Sequence, residues 1–371
     1  MTCLWLMPFI LLAGCGNNNS VSEEPQGGET LSMEVTPANM QMSAAGETFT
    51  IVVKADAAWT VKTDGQSWYS LSGGSGHKGE TALKITALKN ATDQERTAVL
   101  SFAMGTDYKK EYTLKQAKGE IENYVPEGYT LVWQDEFNDT RLTDGKPALP
   151  KTSAWWYETG NSGWGNHEIQ NYVAGFSGTD TCSIVSDGTL KIILQKRGNE
   201  VLSVRMNSIQ SWKYGYFEAR LKLPKGKGTW PAFWMMPKNY TAWPDDGEID
   251  IMEEVGYDPN VILSTIHCKA YNHSIGTQKS GTMKVPTAQT EFHIYAVEWT
   301  EDFIKGYVDG KCYFTFNNDK KGNKDTWPFN APFYLKLNLA WGGDWGGAQG
   351  IDESALPATY EIDYVRVFQK I

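Results

Sequence analysis

From residue 29 to the C-terminus, apolar and polar residues alternate over short runs broken by turn residues, and helical periods are few. Successive side chains on a strand point to opposite faces, so such runs read as strands with one buried side. That pattern restricts the chain to an all-β architecture. At 371 residues it exceeds one small sandwich, and two folded domains are expected. Fifteen Trp, 18 Tyr and 36 Gly exclude a helical bundle or a disordered chain, both poor in large aromatics and turn glycines. The net charge is -10, and the 34 Lys and Arg are scattered. No basic face is left for phosphates, so nucleic acid is excluded as a partner. Aromatics without basic runs suit a neutral, flat-faced ligand, and sugars are the class that fits.

The apolar run Leu4 to Leu12 is too short for a stable bilayer anchor. It ends in Leu12-Ala13-Gly14-Cys15, which reads as a bacterial lipobox closing a signal peptide over 1–15, with Cys15 carrying the lipid. No Lys or Arg precedes the run, which points to a start codon further upstream. Residues 16–28 are polar and aperiodic, a flexible tether. Their Ser22-Glu23-Glu24 resembles the export signals of Bacteroides surface lipoproteins. The expected location is the outer membrane, through the lipid, and the expected acting unit is a monomer. Cys182, Cys268 and Cys312 remain, an odd number that allows one pair but no complete disulfide framework, and buried free thiols are the expected outcome. No CxxC pair offers a thiolate zinc site.

Residues 29–118 contain strand-like runs at Thr48 to Val53, Trp59 to Lys62, Thr81 to Ile85, Ala98 to Phe102 and Tyr112 to Leu114, with Gly73 to Gly76 as a loop. Short strands at this spacing predict an immunoglobulin-like β-sandwich. The order Trp59-Thr60-Val61, Trp68, glycine loop, Asn90, Arg96 and Gln116 resembles the BACON domain of secreted Bacteroides proteins. That resemblance implies glycan or mucin binding, yet single strand tryptophans are more often core, so a spacer is the expected role. Residues 119–127 read as a linker.

Residues 128–371 carry further strands at Ser183 to Val185, Thr189 to Leu194, Tyr214 to Lys222, His293 to Trp299, Phe333 to Asn338 and Ile362 to Phe368. So many strands without repeats imply two large packed sheets, a jelly roll able to bend one sheet into a groove. The chemistry concentrates in Gly247-Glu248-Ile249-Asp250-Ile251-Met252-Glu253-Glu254. Glu248 and Asp250 share a strand face, whereas strict alternation turns Glu253 away. One extra residue in a β-bulge near Ile251-Met252 restores Glu253 to their face. Four regular steps of roughly 3.3 Å then separate the outer two acids, about 13 Å between Cα atoms. Side chains leaning inward leave roughly 5–6 Å between carboxyls, close to the ~5–5.5 Å of retaining glycosidases. Glu361-Ile362-Asp363 repeats three of these letters without a third acid, so only the six-residue form is informative.

Glu248 to Glu253 resembles the bulged active-site signature of glycoside hydrolase family 16, in its laminarinase-like branch. Trp133 to Phe137, Trp164 to Gln170, Tyr214 to Arg220, Gly228 to Met235, Phe292 to Trp299, Leu337 to Ala340 and Ile362 to Val367 resemble further blocks of that family, in order. The resemblance implies a concanavalin-like jelly roll with Glu248 as nucleophile, Glu253 as general acid and base, and Asp250 bonding the nucleophile. It implies substrate contacts from Asn166, Glu218, Arg220, His267 and Asn338, and a structural Ca²⁺ on Glu136, Asp363 and the Gly188 carbonyl. No catalytic cofactor is implied. Trp230, Trp234, Trp243, Trp341 and Trp345 lie near these motifs as candidate sugar platforms.

Trp341 and Glu254 depart from the laminarinase pattern, and an extra Trp at the cleft would reshape a subsite. His267 and His273 are read as lacking the carboxylate company of a metal site, and no HExxH occurs, so catalytic zinc is not expected. Three functions stay open: a retaining endo-glucanase on β-1,3- or mixed-linkage β-1,3/1,4-glucan; an endo-β-1,4-galactosidase on mucin O-glycans or poly-N-acetyllactosamine; and a silent glycan-binding protein.

Overall fold

A computed structural model describes residues 31–370, save 67, 91, 93, 121, 122, 138–147, 179 and 187. The lipobox, Cys15 and the tether lie outside the described residues. Two hydrophobic clusters share no residue, one drawn from Met33 to Leu114 and the other from Phe137 to Val367.

The first cluster fills a sandwich of a four-stranded and a five-stranded sheet. Thr48–Ala55 and Gly79–Ala87 centre one sheet, and Arg96–Met104 pairs with Trp59–Thr63 and Tyr108–Gln116 in the other. Ser75–Gly76, expected as loop, adds a short edge strand against Trp59–Thr63. The Trp59 ring covers Gly76 so closely that a Cβ there would lie 2.5 Å from it. Trp59 and Trp68 are both buried. Neither offers a free face to a sugar.

The second cluster lies between a seven-stranded and a ten-stranded sheet. In the seven-stranded sheet the order is Trp155–Glu158, Arg205–Ser208, Phe333–Trp341, Thr229–Pro237, Glu248–Glu253, Val261–His267 and Lys279–Lys284. On the Thr229–Pro237 and Phe333–Trp341 strands alternation assigns the faces. Phe233 and Met235 enter the core, and Trp230, Ala232, Trp234 and Met236 line a cleft on the far side. Phe333, Leu335, Leu337, Leu339 and Trp341 are core, and Asn338 and Ala340 face the cleft. Trp341 is 0% exposed, with its ring stacked where a Cβ on Gly228 would stand 2.8 Å away. The expectation that Trp341 forms a subsite is therefore corrected: it is a core residue.

Gly215–Lys222 belongs to the ten-stranded sheet, between His293–Trp299 and Ala358–Lys370. Phe217, Ala219 and Leu221 enter the core, so Glu218 and Arg220 point to that sheet's outer side, away from the cleft. Their expected substrate contacts are likewise corrected. Arg220 holds Asp363 at 2.7 Å, and burial pushes the Glu218 carboxyl up to about 7 against the pull of Arg366. Cys182 and Cys268 are buried free thiols, and Cys312 is free and exposed.

Candidate active site

Ile249, Ile251 and Met252 all enter the core. Two adjacent apolar side chains cannot both point inward on a regular strand, and the backbone resolves this with a bulge. Asp250 pairs with Thr265 and Glu253 with Leu263, so Ile251 and Met252 together face one residue, Ser264. The same shift separates Met252 opposite Phe233 from Asp250 opposite Trp234. The Ser264 hydroxyl donates to the Asp250 carbonyl at 2.8 Å inside the bulge. Glu248, Asp250 and Glu253 consequently line one cleft. Glu254, next in sequence, is buried on the other side, where it accepts from the Asn260 backbone and the Gln289 amide.

Each outer acid is held by an indole. Trp243 Nε1 donates to Glu248 Oε2 at 3.1 Å, and Trp230 Nε1 to Glu253 Oε1 at 3.0 Å. His267 is carried by the neighbouring strand, opposite Glu248. Its Nε2 lies 3.3 Å from Asp250 Oδ2 and 3.8 Å from Glu248 Oε1. The expectation that His267 lacks carboxylate company is therefore corrected: two carboxylates of the neighbouring strand surround it. Apart from that His267 contact, Asp250 Oδ2 has no hydrogen-bond partner among the described residues, the nucleophile candidate included.

Burial raises all three acids, and mutual repulsion adds to it. Glu248 is pushed up to about 8 by burial and then by Asp250, against the pull of His267 and the Trp243 N–H. Asp250 rises through burial. Glu253 rises well above the carboxylate range, through burial and then Asp250, with Glu248 adding to it. Acids this close cannot all ionise together, so one of the outer pair keeps its proton.

The cleft has two lobes, of about 340 and 600 Å³. Glu248, Glu253, Trp230 and Asn166 line both, so the acids stand mid-groove with room on either side. Trp234, Trp243 and Asn338 line the first lobe, and His267 and Trp345 the second. Trp345 meets Trp230 edge to face at 5.2 Å. Its loop closes on Asn166, whose carbonyl accepts from the Asp344 backbone at 2.7 Å. A Cβ on Gly343, at φ +75°, would strike that carbonyl at 2.7 Å, so only glycine fits.

Sequence reasoning missed a polar floor beneath the first lobe. Glu168 accepts from Gln170 and Tyr172, Asn338 donates to Tyr172 Oη, and Trp234 donates to Asn338. The Arg205 guanidinium lies over both Trp164 (4.6 Å) and Trp234 (4.9 Å), with Glu158 on its Nε. Lys336 shares that Glu158 oxygen at 2.7 Å. The signal was alternation, since Lys336 stands two residues before Asn338 on one strand.

Two of the expected calcium ligands are engaged in ion pairs. Both Glu136 oxygens accept from Arg366 at 2.8 Å, and Asp363 holds Arg220. These are ion pairs, and no step below passes through calcium.

The family model of glycosyl hydrolases family 16 matches residues 170–366. A beta-glucanase of Rhodothermus marinus is 44% identical over 254 residues, 65% of this chain and 85% of that protein. The chain belongs to glycoside hydrolase family 16. Among solved structures, that of SCLam, a non-specific endo-β-1,3(4)-glucanase of this family, superposes with a TM-score of 0.61 at 45% identity, covering 67% of this chain and 93% of that one. A keratan-sulfate endo-1,4-beta-galactosidase of Sphingobacterium multivorum is 32% identical over 65% of this chain and 55% of its own. The BACON family model matches residues 57–117. Family 16 membership makes the chain a glycoside hydrolase with a jelly-roll catalytic domain, and two carboxyl groups and water suffice for that reaction without a catalytic cofactor.

Proposed function

We propose that this family 16 enzyme is a retaining endo-β-glucanase acting on β-1,3-glucan or mixed-linkage β-1,3/1,4-glucan. The observation that carries the chemistry is the bulge, which aims Glu248 and Glu253 into one cleft with an indole N–H on each. Glu248, ionised, attacks the anomeric carbon and forms a glycosyl ester as the bond to the leaving oxygen breaks. Glu253 gives its proton to that oxygen. Water then attacks the same carbon, its proton passing to Glu253, and the ester bond returns its electrons to Glu248. Two inversions leave the anomeric configuration unchanged. Cleavage mid-chain follows from acids standing between two lobes, each able to seat sugar rings.

The glucan reading draws on the two glucanases named above, the Rhodothermus marinus beta-glucanase and SCLam. The galactosidase reading drew on Trp341 as an additional cleft aromatic, and that residue is core. Binding alone needs neither an acid nor a nucleophile, and both are present. From the Leu12-Ala13-Gly14-Cys15 sequence, the proposal includes lipid anchoring at Cys15 to the outer membrane, with the N-terminal sandwich as spacer.

The test is incubation with laminarin, barley β-glucan, agarose-type galactans and mucin glycans, followed by product analysis. Oligosaccharides of mixed length from a glucan, absent with Glu248→Gln, are expected. Products from mucin glycans alone would overturn the substrate, and undiminished activity in Glu248→Gln would overturn the mechanism.

A further inference from the structure

We propose that Glu248, Asp250 and His267 form an inhibitory binding site for a divalent cation of borderline softness, Zn²⁺ foremost, which competes with substrate for the cleft. Among the described residues this is the one group of three such side chains whose donor atoms all lie within 4.8 Å of one another. Zinc bonds of about 2.0–2.1 Å at tetrahedral angles set ligand atoms roughly 3.3–3.4 Å apart. The His267–Asp250 edge already measures 3.3 Å, and the His267–Glu248 edge, at 3.8 Å, needs only a small side-chain adjustment.

A second, independent observation concerns hydrogen bonding. Asp250 is 3% exposed, and its Oδ2, although 3.3 Å from His267 Nε2, meets no hydrogen-bond donor in bonding geometry among the described residues. A buried carboxylate oxygen in that state is under-satisfied, and a cation at the centre would satisfy it. Trp243 occupies Glu248 Oε2 and leaves Oε1 on the His267 side. Three protein ligands with a fourth position open to the cleft is the arrangement of zinc sites that retain an exchangeable ligand.

The donor set also selects the ion. Ca²⁺ and Mg²⁺ take oxygen ligands and gain nothing from imidazole, whereas zinc accepts imidazole and carboxylate together. The same set keeps the affinity modest. Zinc-binding histidines usually donate their other N–H to a carboxylate or carbonyl, and His267 Nδ1 is buried without a partner. The ion therefore binds reversibly, as an inhibitor and not as a resident cofactor. Inhibition rests on Glu248 being the nucleophile; binding does not.

The experiment is calorimetric titration of the chelator-treated full chain with ZnCl₂, CaCl₂ and MgCl₂. One zinc per chain is expected, with no heat from calcium or magnesium. Affinity should fall ~100-fold or more in His267→Asn, which loses a ligand. It should persist in Glu253→Gln, which lacks the acid but keeps all three ligands, and thermal melts would confirm that both variants fold. Laminarin oligosaccharides should weaken zinc binding, and zinc should raise KM without lowering kcat. No zinc binding, or binding unchanged in His267→Asn, would overturn the site. Zinc that binds without competing with the oligosaccharide would overturn the inhibition. A protein that binds zinc and cleaves no glycan would sink the hydrolase reading alone.

Discussion

Trp230 donates its indole N–H to Glu253 at 3.0 Å, although the proposed mechanism needs this acid protonated. The bond favours the ionised form and draws the Glu253 pKa down, while burial, Asp250 and Glu248 push it up. Trp230 thus tempers an acid that would otherwise hold its proton too tightly to release it. In Trp230→Phe the aromatic face remains and the donor is lost. The alkaline limb of the kcat/KM profile should then move upward by about one pH unit, the worth of a hydrogen bond to a charged group. A limb that moved downward would mean the indole stabilises the protonated acid.

Asp250 raises both of its neighbours. Asp250→Asn removes a negative charge from between them, so both limbs of the pH–rate profile should shift to lower pH. Stability shifts with them. Glu248 titrates near 8 in the folded chain against an ordinary 4.5, so the native state holds a proton that the unfolded chain releases. Its contribution is complete below about 4.5 and is lost as pH rises towards 8. Lowering that native pKa makes Asp250→Asn more stable than the parent at pH 8, with the gain gone at pH 4. A gain of ~1 kcal/mol raises Tm by about 2–4 °C in a domain of this size, which scanning calorimetry at the two pH values would read.

Trp341 and Trp345 stand four residues apart and should fail in opposite ways. Trp341→Ala empties a fully buried site and should cost about 3–5 kcal/mol in urea unfolding. Trp345→Ala touches a half-buried ring over the second lobe. It should raise KM for long glucans several-fold and leave the unfolding midpoint nearly unchanged. A reversal of the two results would return Trp341 to the cleft.

The acid strand was readable because its apolar letters are as informative as its acids. Ile251-Met252 cannot both be buried without a bulge, and the bulge alone brings Glu253 round. The strand at Phe333–Trp341 carried equally clear information. Asn338 and Trp341 differ by three, so on one strand they must face opposite sides, and only one could reach substrate. Glu218 and Arg220 failed for another reason. Alternation puts them on one face, but nothing local says which sheet receives their strand. Arg205 was invisible because its role depends on Trp164, from a distant loop, and Trp234, from another strand, closing over it. His267 was named as a substrate contact, but its carboxylate partners went unseen because they are strand neighbours and not sequence neighbours.

Lys336 offers a stability test of that hidden floor. It is 1% exposed, shares Glu158 with Arg205 and donates to Asn207. Burial first, and Arg205 second, depress its pKa from 10.5 to about 7, against the pull of Glu158. Between those values the unfolded chain binds the proton and the native chain does not. The lysine's contribution is therefore present at high pH and is lost as pH falls through about 7. Lys336→Met fills similar space without titrating. On passing from pH 7 to pH 9 the parent should gain on the order of 2 kcal/mol relative to the variant. Paired urea titrations at the two pH values cancel every group common to both proteins, including the rising acids of the cleft. A constant difference would mean that Lys336 stays charged in the native state throughout, and that Glu158 holds two cations rather than one.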